Sequence, residues 1–516
     1  MHKMQITFLT QNGEISCTCS KDNTLLEAAR GAGGVTPDAP CGGRGICGKC
    51  RVYEVTPEGE LALTACQTKP HAGARYRIPQ WQDLQVLPGG TGMPVKPDPG
   101  LCGYGIACDL GTTTVVCRLV NLGTGENTAY LGAGNAQRPY GADVISRIQA
   151  ASEGNLAALQ DAVCGQLSEM ICALCEKAGI KSREISCMSV AGNPTMCHLL
   201  LGLNPESLGK APFAPVSRFG DTMDARLLKL PFDGRVYVAP AVSGYVGGDI
   251  TADILAADLD RAEKPVLLID VGTNGEMALG CADHFVCCSA AAGPAFEGAQ
   301  ISCGMTASSG AISSVKWENG KLITDTVDHA PPAGVCGSGL IDAVSVMLET
   351  GAVDETGRMM DPEEDADDID AAILPYLFLD EEEHPAFRLS ENVFVTQADV
   401  RKLQLGKGAM AAGVRVLLQQ YGITASGIGQ LLLAGGFGNY IRPESAARIG
   451  LFPKELLPVT RAVGNAACEG AQAALLSAAA RERLRRIQRS MDYYELSGSA
   501  AFSEAYMEEM LFPEQA

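Results

Sequence analysis

The chain has 516 residues, 46% of them hydrophobic, with 59 glycines, 5% aromatic residues and a formal net charge of −20. A charge of that sign excludes a nucleic-acid binder and a protein resting on an anionic membrane, both of which need a basic face. No apolar run is long enough to span a bilayer, and Met1-His2-Lys3-Met4-Gln5 enters a strand pattern without a signal segment. The expected location is therefore cytoplasmic, and the 20 cysteines are expected to be thiols or metal ligands rather than disulfides.

Residues 4–9 (MQITFL) and 13–18 (GEISCT) alternate apolar and polar positions around Gln11-Asn12-Gly13, which predicts a hairpin. Asn23 or Thr24 then caps a short helix from Leu25 to Arg30 that stops at Gly31. The next loop carries Cys41, Cys47 and Cys50 at C-x5-C-x2-C, and Cys66 follows beyond a strand predicted over Cys50 to Val55. Four cysteines so spaced supply the thiolates of a [2Fe–2S] cluster, and Gly42, Gly43, Gly45 and Gly48 let the backbone bend round it and turn N–H groups toward its sulfurs. A zinc site would use two C-x2-C knuckles, and here only Cys47 and Cys50 form one. The loop is one residue longer than the plant-type C-x4-C-x2-C and resembles the adrenodoxin-type variant. With its hairpin, helix, loop and strand, the stretch 1–85 resembles a β-grasp ferredoxin.

Residues 86–103, including PGGTGMPVKPDPG at 88–100, are too rich in proline and glycine for a core. They are expected to form a linker on which the ferredoxin-like domain swings. Beyond it a buried strand through Ile106 and Cys108 ends in Asp109-Leu110-Gly111-Thr112-Thr113 and leads into a second strand. The pattern returns at Leu267-Leu268-Ile269 with Asp270-Val271-Gly272-Thr273-Asn274, and such self-similarity suggests a duplicated subdomain. A third glycine element, Gly435-Gly436-Phe437-Gly438, follows the apolar run Leu431-Leu432-Leu433-Ala434.

An Asp at the end of a buried strand, next to a Gly-Thr turn, places a carboxylate where it can hold Mg2+ directly or through water. The turn's N–H and hydroxyl groups then meet phosphate oxygens. Two such hairpins facing across a cleft would grip a nucleotide's phosphates from both sides. The three elements together resemble the phosphate-1, phosphate-2 and adenosine motifs of the acetate and sugar kinase/Hsp70/actin (ASKHA) superfamily. That resemblance implies an α/β multidomain chain: a β-grasp [2Fe–2S] ferredoxin domain joined to a duplicated actin-like, RNase H-like ATPase, with a first subdomain at 104–262 and a second at 263–490. It also implies that Asp109 and Asp270 handle Mg2+ and the γ-phosphate of ATP, and that Gly111, Thr112, Thr113, Gly272, Thr273 and Asn274 contact phosphates. Gly435, Gly436 and Phe437 would lie against the adenosine.

Asp249, after the glycine-rich Val242-Ser243-Gly244-Tyr245-Val246-Gly247-Gly248, stands at a predicted helix start, where it either orients the attacking water or caps the helix. Ala292–Gly298 and Cys336–Asp342 are similarly glycine-rich, and the second opens a helix. His198 reads as a core or interface residue, and Cys172 with Cys175 as a structural pair on a helix. The acidic run at 361–384 reads as a solvated insertion. Residues 471–489 read as one alanine- and arginine-rich helix, and 491–516 as a tail packed back on the core.

A ferredoxin-like domain followed by Gly141-Ala142-Asp143-Val144-Ile145-Ser146-Arg147, SGYVGGDI, GTNGE, CGSGLID and AGGFGNYI resembles the ATP-dependent reductive activators of corrinoid enzymes. The resemblance implies an ATP-hydrolysing reductive activase that returns an accidentally oxidised Co(II) corrinoid protein, or corrinoid-dependent methyltransferase, to Co(I). It implies a [2Fe–2S] cluster, ATP and Mg2+ as cofactors, a low-potential electron donor, and the homodimerisation common in the superfamily. A plant-type cluster lies near about −400 mV, and each ~59 mV of shortfall opposes a one-electron transfer tenfold. Nucleotide must therefore favour one arrangement of the partners over another. Competing readings are a small-molecule kinase of the same superfamily, a non-catalytic redox sensor, and an activator of radical dehydratases, the last of which usually holds a [4Fe–4S] cluster between two subunits.

Overall fold

The computed structural model describes residues 3–10, 13–32, 37, 39, 43–45, 50–57, 59–78, 95–435 and 441–514. Cys41, Cys47, Gly436 and Phe437, the turn residues Gln11 and Asn12, and the first part of the linker lie outside the described residues.

The N-terminal sheet contains β1 (Lys3–Thr10), β2 (Gly13–Ser20), β3 (Arg51–Thr56), β4 (Gly59–Thr64) and β5 (Arg75–Arg77), in the order β2-β1-β5-β3-β4. Strands β1 and β2 pair antiparallel over their full length, whereas β1 and β5 run parallel. Across this sheet lies α1 (Leu25–Gly31), and between predicted caps the structure selects Thr24, whose hydroxyl accepts from Glu27 N at 3.2 Å while Glu27 Oε2 accepts from Thr24 N at 2.8 Å. That reciprocal pair satisfies two N-terminal donors of the helix. Leu25, Leu26, Ile6, Phe8, Val52 and Tyr76 fill the small core between helix and sheet.

The first lobe holds β6 (Tyr104–Leu110), β7 (Thr114–Asn121), β8 (Asn127–Gly134), α2 (Val144–Ala150), α3 (Leu156–Ala178), β9 (Ile185–Gly192), α4 (Pro194–Leu200), β10 (Thr222–Asp224), β11 (Arg235–Val238) and α5 (Gly248–Ala256). The second lobe starts with β12 (Val266–Val271), β13 (Gly275–Cys281), β14 (His284–Ala290), β15 (Ala311–Glu318), β16 (Lys321–Thr326), β17 (Gly334–Val335) and α6 (Gly337–Glu349). It continues through β18 (Leu377–Leu379), β19 (Pro385–Arg388), β20 (Phe394–Thr396), α7 (Gln397–Tyr421), β21 (Gln430–Ala434), α8 (Pro443–Arg448), β22 (Thr460–Gly464), α9 (Ala466–Leu476), α10 (Ala478–Arg489), β23 (Met491–Tyr493) and α11 (Ala500–Glu509).

The two large sheets repeat one plan. Their orders are β10-β11-β9-β6-β7-β8 and β22-β21-β12-β13-β14-β23, each built on an antiparallel meander with a parallel strand added beside its first member. Strands such as β6 are apolar on both faces because each sheet is covered on both sides. The tight turns β6–β7 and β12–β13 are the two Asp-x-Gly-Thr elements, and both open into the same cleft.

Three sequence expectations change. The stretch 471–489 is not one helix: Ser477 is extended (φ −144°, ψ 127°) and separates α9 from α10. The cause is Asp98, whose carboxylate accepts from Ser477 Oγ at 3.2 Å and Ala478 N at 2.7 Å, while its own N–H donates to Leu476 O at 2.9 Å. The later part of the linker is accordingly fixed to the ATPase, with Val95 and Leu101 packed on its core. Within the second stretch, 263–490, α9 packs among α5, β6 and β9 of the first lobe. The acidic stretch carries structure too: its Ile373 is buried, and β18 lies within it.

His198 is a satisfied core residue at 0% exposure, with Nδ1 on Pro194 O (2.6 Å) and Nε2 accepting from Val216 N (3.1 Å). Among the described residues no two cysteines are joined by a disulfide. No helix among them is long and apolar enough to cross a membrane. The C-terminal residues pack back as α11 on α7, with Phe512 buried beyond it.

Candidate functional site

Between the lobes lies a cavity of about 130 Å3 whose walls include Asp109, Asp249, Asp270, both Gly-Thr turns and Gly435. Each lobe contributes one hairpin. Thr113 Oγ1 and Thr273 Oγ1 stand 3.3 Å apart across the cleft, and a single carboxylate joins them: Glu297 accepts from the Thr113 hydroxyl and, at 3.0 Å, from Thr273 N. Glu297 comes from the glycine-rich turn after β14, which the sequence marked as site-like without assigning this residue a role.

Behind the first turn stand two residues that no motif pointed to. Asn193 donates to Thr112 Oγ1 at 2.9 Å, and Asn465 at the start of α9 donates to Asp109 Oδ2 at 2.7 Å. Asn465 also caps α9 by accepting from Cys468 N at 2.8 Å, so its position is fixed by the helix start. Gly435 has φ +100°, and a Cβ there would fall 2.4 Å from Asp270 Oδ1. Only glycine lets β21 end so close to that carboxylate.

The cavity is strongly acidic. Besides Asp109, Asp249 and Asp270, its walls carry Asp253, Glu276 and Glu297. Burial pushes the Asp109 carboxyl up to about 7, opposed by the Asn465 hydrogen bond and reinforced by Asp249. Asp249 rises to about 6 through burial, held back by backbone N–H groups at Gly247 and Ile250. Asp253, Asp270 and Glu276 lie well above the ordinary carboxylate range, first from burial and then from neighbouring carboxylates, Asp249 acting on all three. Asp249 sits in the first turn of α5, after Gly247 at the cap position, and its carboxylate both accepts from Ile250 N at 2.9 Å and lines the cavity.

Such a donor set fits Mg2+. Asp253 is 1% exposed and both its carboxylate oxygens lack a hydrogen-bond partner, which leaves a buried carboxyl that a cation would stabilise in its charged form. Among the described residues no three such side chains converge closely enough to enclose a metal ion by themselves. Mg2+ at nucleotide sites is usually held by one or two carboxylates, with water and phosphate oxygens completing its shell.

At the N-terminal domain the described part of the cysteine loop fits a cluster as well. Cys50 is buried, its Sγ accepts from Cys66 N at 3.4 Å, and Gln67 Nε2 donates to Gly45 O at 3.0 Å. Gly43 has φ +94°, and a Cβ there would meet Leu26 Cδ2 at 2.8 Å, so the loop leaves no room for a side chain on its inner side. An N–H aimed at a cysteine sulfur is the hydrogen bond that tunes a cluster thiolate.

Comparison with known proteins covers all of these parts. Residues 9–71 match the 2Fe-2S iron-sulfur cluster binding domain, 104–262 the RACo middle region, and 264–516 the C-terminal domain of RACo, the ASKHA domain. The chain is 38% identical over 423 residues to the corrinoid activation enzyme RamQ of Eubacterium limosum, covering 79% of this chain and 70% of that protein. It is 26% identical over 383 residues to the [Co(II) methylated amine-specific corrinoid protein] reductase of Methanosarcina barkeri, spanning 68% of this chain and 66% of that one. A solved structure, a reductive activator for corrinoid,iron-sulfur protein, superposes with a TM-score of 0.74 at 29% identity, covering 99% of this chain and 98% of its own. The cleft, the cysteine pair and these matches place the chain in the family of ATP-dependent reductive activators of corrinoid proteins.

Proposed function

We propose that this chain reduces the inactive Co(II) form of a corrinoid protein, such as a corrinoid-dependent methyltransferase, to Co(I) in an ATP-dependent one-electron step. A [2Fe–2S] cluster, when bound by Cys41, Cys47, Cys50 and Cys66, supplies the single electron. The observation that carries the reading is the bridge of Glu297 between Thr113 and Thr273 in a chain that also pairs Cys50 with Cys66.

Asp109 and Asp270 face the cavity from opposite lobes and would hold Mg2+, with Asp249 placed to orient water. The hairpin N–H groups and the hydroxyls of Thr112, Thr113 and Thr273 would take phosphate oxygens, and Asn274 sits at the tip of the second turn. Gly435, with Gly436 and Phe437 after it, is assigned to the adenosine. The 3.3 Å gap between Thr113 and Thr273 is too narrow for a phosphate group. A phosphate that enters between them would break this hydroxyl contact, by side-chain rotation or by a shift of one lobe against the other. A ligand that stabilises one lobe arrangement can favour docking of one redox form of the corrinoid partner. Docking that changes cobalt's axial ligation would raise its potential toward the cluster's.

The test is anaerobic. Pre-reduced protein, a Co(II)-corrinoid methyltransferase and MgATP are mixed, and Co(I) is followed by absorption. Co(I) that appears with MgATP, and not without it or with Asp270→Ala, supports the reading. Phosphate transfer to a sugar or a carboxylic acid in place of cobalt reduction overturns it in favour of a kinase.

A further inference from the structure

The segment between β8 and the end of α2's first turns makes contact in two directions. Toward the cleft it holds three successive carbonyls of the first phosphate hairpin. Asn135 Nδ2 donates to Gly111 O at 2.8 Å, Arg147 Nη2 to Thr112 O at 2.6 Å, and Asn135 N to Thr113 O at 2.8 Å. Each of those carbonyls belongs to the same planar peptide as the next residue's N–H. Fixing the carbonyls therefore fixes how the N–H groups of Thr112, Thr113 and Thr114 are presented.

Arg147 is fully buried, and its remaining hydrogen bonds go to Gly141 O (3.0 Å), Gln137 Oε1 (3.3 Å) and the Met196 sulfur (2.9 Å). The intervening turn, Arg138–Tyr140, is closed by Arg138 N on Asn135 O (3.0 Å), Tyr140 N on Gln137 O (2.9 Å) and Gly141 N on Arg138 O (3.0 Å). So tied, it moves as one body. On its outer side this turn meets the ferredoxin domain. Arg30, at the end of α1, donates to Pro139 O, and its guanidinium lies 5.2 Å from the centre of the Tyr140 ring. The same guanidinium borders the cysteine loop, because a Cβ on Gly43 would lie 3.9 Å from Arg30 Nη2 and 3.8 Å from Cys66 Cβ.

We propose that residues 135–147 form the joint through which the first phosphate hairpin and the ferredoxin domain act on one another, with Arg30 docking that domain on Pro139 and Tyr140. Arg147 is the positioning residue that carries a rotation of the Gly111–Thr113 peptides to the dock. The inference rests on the reading that this hairpin holds nucleotide phosphates. A phosphate that draws the N–H groups inward turns the opposite carbonyls on Asn135 and Arg147, and the hydrogen-bonded turn transmits the shift to Arg30. Linkage makes the effect reciprocal: whatever factor nucleotide applies to docking, docking applies to nucleotide affinity.

The experiment is hydrogen exchange by mass spectrometry on the full-length protein, with and without Mg2+ and the non-hydrolysable analogue AMP-PNP, for wild type, Arg30→Gln and Arg147→Lys. In the wild type AMP-PNP slows exchange at 111–114 and changes exchange at 25–31 and 137–141 by about threefold or more. Arg30→Gln keeps the response at 111–114, loses it at 25–31, and shifts the AMP-PNP dissociation constant by the factor linkage requires. A defect in α1 alone would leave that constant unchanged. Arg147→Lys, which keeps the charge but not the fork of donors, weakens the response at both distant segments. A wild-type response confined to 111–114, or a response at 25–31 that survives Arg30→Gln, overturns the proposal while leaving the phosphate site standing. No response at 111–114 or 272–274 in wild type overturns the phosphate site itself and the proposal with it.

Discussion

Asn465 donates its side-chain amide to Asp109 Oδ2 at 2.7 Å although the two lie 356 positions apart in the chain. This contact is how α9, which packs among first-lobe elements from late in the chain, comes to stabilise the carboxylate that opens the site.

Burial raises Asp109 to about 7. A carboxyl raised in the fold keeps protons that the unfolded chain has already released, so the native state binds more protons between about pH 4 and 7. Stability of the nucleotide-free protein therefore falls as pH rises through that window and levels off above it. Asp109→Asn removes that share of the slope. In EDTA its melting temperature is expected to match wild type near pH 4 and to exceed it at pH 8, the rise of Asp109 to about 7 corresponding to at most about 4 kcal/mol. Equal offsets at both pH values would refute the assignment. Mg2+-dependent ATP turnover of this variant is expected to be lost.

Glu297→Gln preserves the length of the bridge and an acceptor for Thr273 N but discards the charge between the hairpins. If the Glu297 charge acts on the attacking water beside Asp249 as well as bridging the hairpins, steady-state ATP turnover shows kcat down about a hundredfold with KM within about threefold, the range for losing a positioned acid–base group. An unchanged kcat would assign Glu297 to lobe contact alone.

Cys66→Ser removes a ligand and the sulfur next to Cys50. The visible absorption of the cluster and all Co(II) reduction are expected to disappear, while AMP-PNP binding, measured by calorimetry, persists. Loss of nucleotide binding would show that the two halves do not fold separately.

Asp98→Ala deletes the cap shared by Ser477 and Ala478. The ATPase part is expected to lose about 1 kcal/mol in denaturant unfolding, with cluster absorption unchanged. A wild-type midpoint would mean the linker's grip on α10 contributes nothing.

How legible these features were depended on how local they are. Asp109 and Asp270 announced themselves because a strand, an Asp and a Gly-Thr turn are contiguous, and the repeat exposed the duplication. The capping pair of Thr24 and Glu27 was half visible for the same reason. Asn193 and Asn465 were not assigned, since each reaches the site from a separate element and its neighbours in sequence are ordinary helix starts, while Arg147 was visible only as the end of the Gly141–Arg147 motif, with no role attached. Glycine before Asn465 and an alanine-rich helix after it were the available signal. The break at Ser477 was illegible because alanine and arginine favour continuing the helix, and the residue that interrupts it, Asp98, belongs to a stretch whose composition signified only a linker.

The anchoring of Val95 and Asp98 on the ATPase core also sets a leash. The chain from Ile78 to Val95 spans at most about 60 Å even when fully extended, so the electron donor cannot leave the neighbourhood of its own nucleotide cleft. Confinement of that kind corresponds to a local concentration on the order of millimolar. Return of the ferredoxin domain to Pro139 and Tyr140 is therefore an event within one molecule, and its frequency should not depend on how dilute the protein is, whereas the meeting with the corrinoid partner should.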